Sequence, residues 1–305
     1  MDCGNWAIAN HSRPEYRIPM IRKAIIPVAG LGTRLMPMTA VLPKALFPLV
    51  DSAGQVRAVL HQVLAEAAAA GVRYAGVIVS PGQRELLEQY FAAARAAGAD
   101  DLPSRVEYIL QPRPAGFGEA VLRSRDFVAD EEAFMLLLGD HVYRSDDPAR
   151  PCAAQVTAAF DKLPDAQAVI GMQDVDEAEL PLVGTARGEP LADNVYRCTD
   201  FIEKPAQAAA RQRLVTPGLP SRRYLAHCGI YLFRRTIFDC LQELDRSLAG
   251  SGREVALADA QSMLLERFSQ AYYLVRIAGR ALDTGTPRGF AATVAALAET
   301  SGRDL

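Results

Sequence analysis

Short apolar runs alternate with segments of helical periodicity over the first 140 residues, and this alternation restricts the fold more than any other feature of the sequence. Strands are predicted at 24–29, 74–80, 106–111 and 133–140, and the first two of them are predicted to be buried. Apolar residues at i, i+3, i+4 and i+7 predict the intervening helices, at 56–67, at 82–98 and from about Glu119. Strands separated by helices pair in parallel, with helices on both faces of the sheet. The first half therefore predicts a doubly wound, Rossmann-like sheet, in which ligands bind beyond the carboxyl ends of the strands.

The second half is less regular but contains the same kinds of segment. It predicts four further strands, at 166–172, 196–202, 226–233 and 271–277, and helices near 236–244, 254–268 and 287–299. Residues 206–224 are predicted to form a loop, or a short helix followed by a loop. No linker or internal repeat divides the chain. We therefore predict an N-terminal tail over 1–20 and one α/β domain over 21–305, with halves at 21–145 and 146–305. Its sheet is expected to be mixed, mostly parallel and flanked by helices, with a smaller lobe in the second half.

Composition excludes several classes of function. The 305 residues carry 33 Lys and Arg against 36 Asp and Glu, a net charge of -3, so no basic excess suggests binding to nucleic acid or to a membrane surface. No apolar run approaches the roughly 20 residues of a transmembrane helix. The five cysteines are scattered and form no CxxC pair, which argues against a zinc site or a disulfide framework. The first 20 residues lack the pattern of a signal peptide, so we expect a cytoplasmic protein.

The stretch Gly30-Leu31-Gly32-Thr33-Arg34 follows the first predicted strand directly. Its two glycines let backbone N–H groups approach a ligand closely, and such donors can hold phosphate oxygens. Arg34 can clamp a phosphate with two hydrogen bonds, while Lys44 supplies a compact charge. The stretch is neither a P-loop nor a dinucleotide fingerprint, because Leu35 stands where the third glycine would be. On spacing alone, an ordinary turn with two surface cations explains it equally well.

Seven further segments follow this motif along nearly the whole chain. In order, they are LPKALFPLVD, ILQPRPAGFGEAV, LLLGDH, IGMQDVDEAELPLVG, FIEKP, GREVALADAQSML and LDTGTP. With GLGTRLMP they resemble the signature of the sugar-1-phosphate nucleotidyltransferases, and most nearly the bacterial UTP–glucose-1-phosphate uridylyltransferases. The resemblance implies a nucleotide-diphospho-sugar transferase fold with a sugar-binding lobe. It also implies Mg²⁺-dependent transfer of a uridylyl group from UTP to glucose 1-phosphate, and a homo-oligomer, either a dimer or a tetramer.

The resemblance assigns the charged groups to phosphates and metal. Arg34 and Lys44 would attract the leaving pyrophosphate, and Lys204 of Glu203-Lys204-Pro205 would meet the sugar phosphate. Asp140 and Asp283 would hold Mg²⁺, which usually takes one or two carboxylates together with phosphates and water. Each of these residues also has an ordinary alternative, because carboxylates cap turns and helices and charged pairs are common at exposed strand ends.

The remaining assignments concern the nucleotide and the sugar. By resemblance, the triphosphate would lie against five residues, Ala29, Gly30, Leu31, Gly32 and Thr33. Gln111 and Gly116 would read the imide edge of uracil, because a glutamine amide offers both a donor and an acceptor. The sugar would contact Gly184, Glu203 and Gly229. A solvated glutamine side chain and glycines at turns or bulges are the plain alternatives.

Two departures from the family pattern fall on the sugar side and at an expected subunit surface. Ala45 replaces a usual glutamate, and Val183 replaces a usual tyrosine before Gly184. Two rival functions therefore stay open. One is a sister enzyme that uses dTTP or another sugar 1-phosphate, and the other is a catalytically silent nucleotide-sugar-binding protein.

Overall fold

A computed structural model of the protein describes residues 21–51 and 53–300, so the predicted tail over 1–20 lies outside the described residues. Thirteen strands are present in this part of the chain: β1 (Lys23–Pro27), β2 (Pro48–Val50), β3 (Val56–Ala58), β4 (Tyr74–Val79), β5 (Arg105–Leu110), β6 (Ala133–Leu137), β7 (His141–Ser145), β8 (Ala168–Asp176), β9 (Thr185–Ala192), β10 (Val195–Ile202), β11 (Arg223–Arg234), β12 (Tyr272–Arg276) and β13 (Gly279–Asp283). Eight α-helices accompany them: α1 (Val59–Ala69), α2 (Arg84–Ala96), α3 (Phe117–Arg123), α4 (Cys152–Phe160), α5 (Gln207–Arg213), α6 (Thr236–Leu248), α7 (Leu257–Arg267) and α8 (Pro287–Thr300). None of these helices is long and apolar enough to cross a membrane.

Nine strands form one mixed sheet in the order β5-β4-β1-β6-β11-β8-β12-β10-β9. The four strands of the first half, β5, β4, β1 and β6, are parallel to one another. In the second half β11 runs antiparallel to β6 and β8, and only the β8–β12 pair is parallel. The predicted Rossmann-like α/β fold is confirmed, and antiparallel neighbours enter where the sequence becomes less regular.

Alternate residues of β1 point to opposite faces of the sheet. Both faces are apolar, and helices therefore pack on both of them. Ile26 joins a core that contains Leu60, Val63 and Leu64 of α1. Ile25 joins the core on the other face, with Phe134 of β6 and Phe238 of α6. Each fully buried side chain of this size contributes about 1.5–3 kcal/mol by leaving water.

A third, smaller core lies in the second half, between the end of β8, α5 and β11. Leu180, Leu214 and Tyr224 are among its buried members, and Val183 and Ile202 pack against it. The predicted short helix within 206–224 is confirmed as α5. This small core supports the segments that carry Gly184 and Glu203.

Several predicted boundaries were wrong, among them those of the first predicted helix and the fourth predicted strand. The helix predicted from Val56 begins at Val59, because Val56–Ala58 pair with Pro48–Val50 as a hairpin. Asp51 stabilises the hairpin turn, since its carboxylate accepts hydrogen bonds from the N–H groups of Ala53 and Gln55, both at 2.9 Å. The strand predicted over 133–140 ends at Leu137, and the chain then turns into β7. The strands β2, β7, β9 and β13 and the helix α4 were not predicted.

Candidate active site

The loop after β1 leaves the sheet through two glycines and a short 3-10 helix at Thr33–Leu35. Gly32 has φ +63°, and a Cβ atom placed on it would lie 2.8 Å from Cγ2 of Thr39. The Thr39 hydroxyl donates a hydrogen bond to the Gly32 carbonyl at 2.9 Å and holds this tight turn closed. Ala29 is buried, whereas Gly30 and Leu31 are exposed. The loop therefore exposes backbone groups to solvent, and it contains a turn conformation that only glycine adopts easily.

Arg34 and Lys44 extend from this region but have different surroundings. Arg34 is exposed and, among the described residues, has no carboxylate partner. Lys44 begins the 3-10 helix Lys44–Leu46, and its Nζ lies 2.5 Å from Oδ2 of Asp140. Both side chains of this pair are largely enclosed. Arg34 is thus free to receive an anion, and Lys44 neutralises the aspartate that follows β6.

Asp140 stands just beyond the carboxyl end of β6, next to the end of β1. Gly139 allows this approach, because a Cβ atom there would collide with Val28 and would lie 2.7 Å from the carbonyl oxygen of Pro27. Oδ1 of Asp140 also lies 3.1 Å from Nδ1 of His141, within hydrogen-bond distance. Burial by itself raises the pKa of Asp140, but the His141 hydrogen bond and the Lys44 charge outweigh burial and hold this pKa well below its usual range. Asp140 is therefore an ionised carboxylate at neutral pH.

Asp283 reaches the same place through the two-stranded ribbon formed by β7 and β13. The two strands are antiparallel, and their register sets Asp283 opposite His141. Thr284 fixes the end of the ribbon, because its backbone N–H and its hydroxyl both donate to the Asp140 carbonyl at 2.8 Å. Ligand atoms of Asp140, His141 and Asp283 lie within 4.8 Å of one another. The predicted pairing of the two aspartates in space is thus present, and His141 is a third member that adjacency to Asp140 alone could have suggested.

The donor set of this cluster fits a small divalent cation. Two carboxylates, one from the turn between β6 and β7 and one from the end of β13, are the kind of ligands that Mg²⁺ prefers. Gly285 keeps the space between them open, since a Cβ atom on it would lie 2.9 Å from Oδ2 of Asp140 and 3.0 Å from Oδ1 of Asp283. The N–H of Gly285 also donates to Asp283 Oδ1 at 2.6 Å and orients that carboxylate.

Gly184, Glu203 and Gly229 lie on three segments of the second half. A Cβ atom on Gly184 would be 2.7 Å from Oε2 of Glu203, so these two predicted residues are in direct contact. Gly229 has φ +82° at an irregularity of β11, between His227 and Tyr231. Its carbonyl oxygen accepts two hydrogen bonds at 3.0 Å, from the Leu138 N–H and the Tyr143 hydroxyl. These contacts tie the Gly229 bulge to the segment that carries Asp140.

Lys204 follows Glu203 in a left-handed backbone conformation, with φ +48°. Its side chain is about half exposed, and its Nζ lies 3.7 Å from Oε1 of Glu203. A non-glycine residue in this conformation carries backbone strain, which is frequent at functional sites. No described contact joins Lys204 to Lys44 or Asp140.

Gln111 and Gly116, the two residues expected to read the base, contact each other. Gln111 follows β5 directly, is buried, and donates from Nε2 to the Gly116 carbonyl at 3.1 Å and to Glu119 at 2.6 Å. Gly116 has φ +104°, and a Cβ atom there would lie 2.7 Å from the carbonyl oxygen of Val255. The Gln111 amide nitrogen is thus already bonded within the protein, and no described contact engages its carbonyl oxygen.

Comparison with known proteins gives consistent relationships. The nucleotidyl transferase family model matches residues 23–300. The chain is 32% identical over 291 residues to UTP–glucose-1-phosphate uridylyltransferase 2 of Staphylococcus saprophyticus, covering 90% of both chains. It is 31% identical over 289 residues to the UTP–glucose-1-phosphate uridylyltransferase of Bacillus subtilis, covering 90% of this chain and 89% of that one.

Among solved structures, a UDP-glucose pyrophosphorylase complexed with UDP-glucose superposes with a TM-score of 0.74 at 25% identity. That similarity covers 92% of this chain and 99% of the other. Three observations point to the same family. They are the sequence signature of the sugar-1-phosphate nucleotidyltransferases, the cluster of two aspartates beyond β6, and the family match over nearly the whole described chain. The chain therefore belongs to the nucleotidyl transferase family.

Proposed function

We propose that this chain transfers a uridylyl group from UTP to glucose 1-phosphate, producing UDP-glucose and pyrophosphate. The observation that carries the proposal is the meeting of Lys44, Asp140 and Asp283 beside the glycine loop of β1. The names of the relatives, at about a third identity over nine-tenths of the chain, support the choice of UTP and glucose 1-phosphate.

The proposed reaction forms one P–O bond and breaks another. An oxygen of the sugar phosphate attacks the α-phosphorus of UTP, and the bond from that phosphorus to the β-phosphate oxygen breaks, so that pyrophosphate leaves. The nucleophile is already an anion, so no strong general base is required. The protein's task is to position two anions and to balance their charge.

Different residues of the site are proposed to bind different phosphates. Backbone groups of Ala29–Thr33 are proposed to hold the triphosphate, and Arg34, which has no described carboxylate partner, is proposed to bind the leaving pyrophosphate. Lys44 pairs with Asp140 and is proposed to turn to phosphate when a cation binds the carboxylate. Lys204 is proposed to bind the incoming sugar phosphate.

Asp140 and Asp283 are proposed to hold Mg²⁺, which would draw phosphate oxygens together and offset their charge. The carbonyl oxygen of Gln111 is proposed to accept the imide N–H of uracil, with the backbone of Gly116 beside it. Gly184, Glu203 and Gly229 are proposed to contact the sugar. The four described cysteines are free and buried, consistent with the cytoplasm as the proposed compartment, and a dimer or tetramer is the proposed assembly.

Pyrophosphate release with Mg²⁺ tests this function. UTP, dTTP, GTP, CTP and ATP are each combined with glucose, galactose and mannose 1-phosphate, and we expect UTP with glucose 1-phosphate to dominate. A different preferred pair would keep the mechanism and replace the substrate. If folded protein released pyrophosphate from no pair, the proposed enzyme would be rejected in favour of a silent binding protein.

A further inference from the structure

His227 is a buried histidine on β11 whose ring has no hydrogen-bond partner among the described residues. Only 8% of its surface is exposed. Its backbone N–H donates to the Gly184 carbonyl at 2.8 Å, whereas its described ring contacts are with aromatic rings only. The ring nitrogens are nevertheless not among the fully buried side-chain atoms that lack a partner in the described residues. The imidazole is therefore mostly enclosed, and its unbonded nitrogens can reach a molecule from outside the protein.

Aromatic contacts fix the orientation of this imidazole. The Phe201 ring stacks on it with centroids 4.6 Å apart and an interplanar angle of 7°. Tyr231 meets it edge-on, at 5.7 Å. Stacked and edge-on rings restrict the tilt of the imidazole, so the direction of its two nitrogens is set before any ligand binds.

The imidazole faces the same space as Glu203. A Cβ atom on Gly184 would lie 3.4 Å from Nδ1 of His227 and 2.7 Å from Oε2 of Glu203. Because Gly184 has no side chain, the carboxylate and the imidazole can both approach its backbone, and Cε2 of the Phe201 ring lies 3.1 Å from the same point. A pair of polar groups around a glycine is well suited to bind a hydroxyl, since the carboxylate accepts and a neutral imidazole can donate or accept.

We propose that His227 determines sugar specificity by hydrogen-bonding a hydroxyl of the sugar that binds beside Gly184 and Glu203. The inference rests on the proposed function, in which these residues contact the sugar. Burial lowers the pKa of His227 to about 3, so its ring is neutral at physiological pH and adds no charge to the sugar site. The residue thus supplies orientation and selectivity for a neutral group, while the phosphates are left to Arg34, Lys44 and Lys204.

Binding of UDP-glucose and of UDP to the full-length protein tests the proposal without requiring turnover. The variants are His227→Phe, which keeps a ring to stack on Phe201 and removes both nitrogens, and His227→Asn, which keeps a hydrogen-bonding side chain. By calorimetry we expect His227→Phe to bind UDP-glucose about five- to tenfold more weakly, the usual value of one neutral hydrogen bond. UDP should bind equally well to all three proteins, and His227→Asn should recover part of the lost affinity. If His227→Phe does not fold, as judged by its melting temperature, His227→Leu replaces it.

UDP-deoxyglucoses that each lack one hydroxyl then locate the contact. One analogue should bind the natural protein more weakly than UDP-glucose does, and that difference should vanish in His227→Phe. Unchanged UDP-glucose affinity in His227→Phe would overturn the proposal. Equal weakening of UDP and UDP-glucose would also overturn it, because it would mean that the ring only supports the fold. UDP-glucose binding without any turnover would reject the proposed enzyme and leave this test valid.

Discussion

At the scale of single residues, Gly32 makes the most specific demand on side-chain identity in the loop after β1. Its φ of +63° is costly for any other residue, and a Cβ atom there would press on Thr39. We expect Gly32→Ala to raise the KM for UTP at least tenfold, because the backbone donors of Ala29–Thr33 would be displaced from the phosphates. The left-handed conformation alone should cost about 1–2 kcal/mol of stability. Steady-state kinetics and urea unfolding measure the two effects.

Gly98→Ala is the matched control for this prediction. Gly98 has φ +90°, and a Cβ atom placed on it would meet nothing within 4 Å. It precedes the amino end of β5, away from the carboxyl ends that carry the site. The Gly98→Ala variant should lose a similar amount of stability while its KM for UTP stays unchanged. Equal KM values for the two variants would show that the loop conformation does not matter for the nucleotide.

At the scale of secondary-structure elements, the β7–β13 ribbon brings together two carboxylates that lie 143 positions apart in the sequence. Gly285→Ala tests this geometry without removing either carboxylate. Its Cβ atom would come within 3.0 Å of both, and Asp140 is already held by Lys44 and His141. We expect Mn²⁺ binding in the presence of UTP, followed by electron paramagnetic resonance, to weaken about tenfold, with the melting temperature nearly unchanged.

Two further variants serve as controls for this measurement: Asp140→Asn removes a proposed metal ligand, and Asp193→Asn makes the same change away from the site. Asp140→Asn should abolish the bound Mn²⁺ signal, whereas Asp193, an exposed residue in the β9–β10 turn, should tolerate the same change. Activity of Asp140→Asn within tenfold of the natural protein would count against the metal assignment, as would undiminished Mn²⁺ binding by Gly285→Ala.

The elements that sequence reasoning found are those whose burial leaves a continuous pattern. Strands β1, β4 and β6 are apolar because helices cover both faces, and α2 and α7 carry one apolar stripe. Strand β7 and strand β13 were missed because only Val142 of their residues is fully buried, so neither forms an apolar run. Val56 happened to fall at helical spacing from Val59, and only the hairpin turn at Asp51 assigns it to a strand.

The candidate site was predicted residue by residue, but its geometry was not. Family resemblance singled out Asp140 and Asp283, and the ribbon register that brings them together depends on tertiary pairing. His227 gave no signal, because a single histidine in an apolar strand is usually a satisfied core residue. Its missing hydrogen-bond partner is a property of the folded surroundings, which sequence spacing does not encode.

At the scale of the whole molecule, one sheet links the nucleotide side to the sugar side. The β6–β11 pairing joins the strand before Asp140 to the strand that carries His227 and Gly229. The Leu138 N–H and the Tyr143 hydroxyl, on either side of Asp140, both bond to the Gly229 carbonyl. The two parts of the site are therefore positioned by a shared backbone framework rather than by loops that fold independently.

Burial of His227 in this framework also makes global stability depend on pH. Its pKa is about 3 in the fold against 6.5 as the ordinary value, so between these values the unfolded chain binds more protons and stability falls as the pH falls. From pH 7 to pH 5 this group alone should cost about 2 kcal/mol. Glu203 and Tyr231 face the same ring and are unchanged in His227→Phe, so their contributions cancel in a comparison. Urea unfolding at both pH values should show that His227→Phe loses about 2 kcal/mol less than the natural protein. Equal losses would mean that the imidazole is protonated inside the fold, and that water or a neighbouring carboxylate reaches it there.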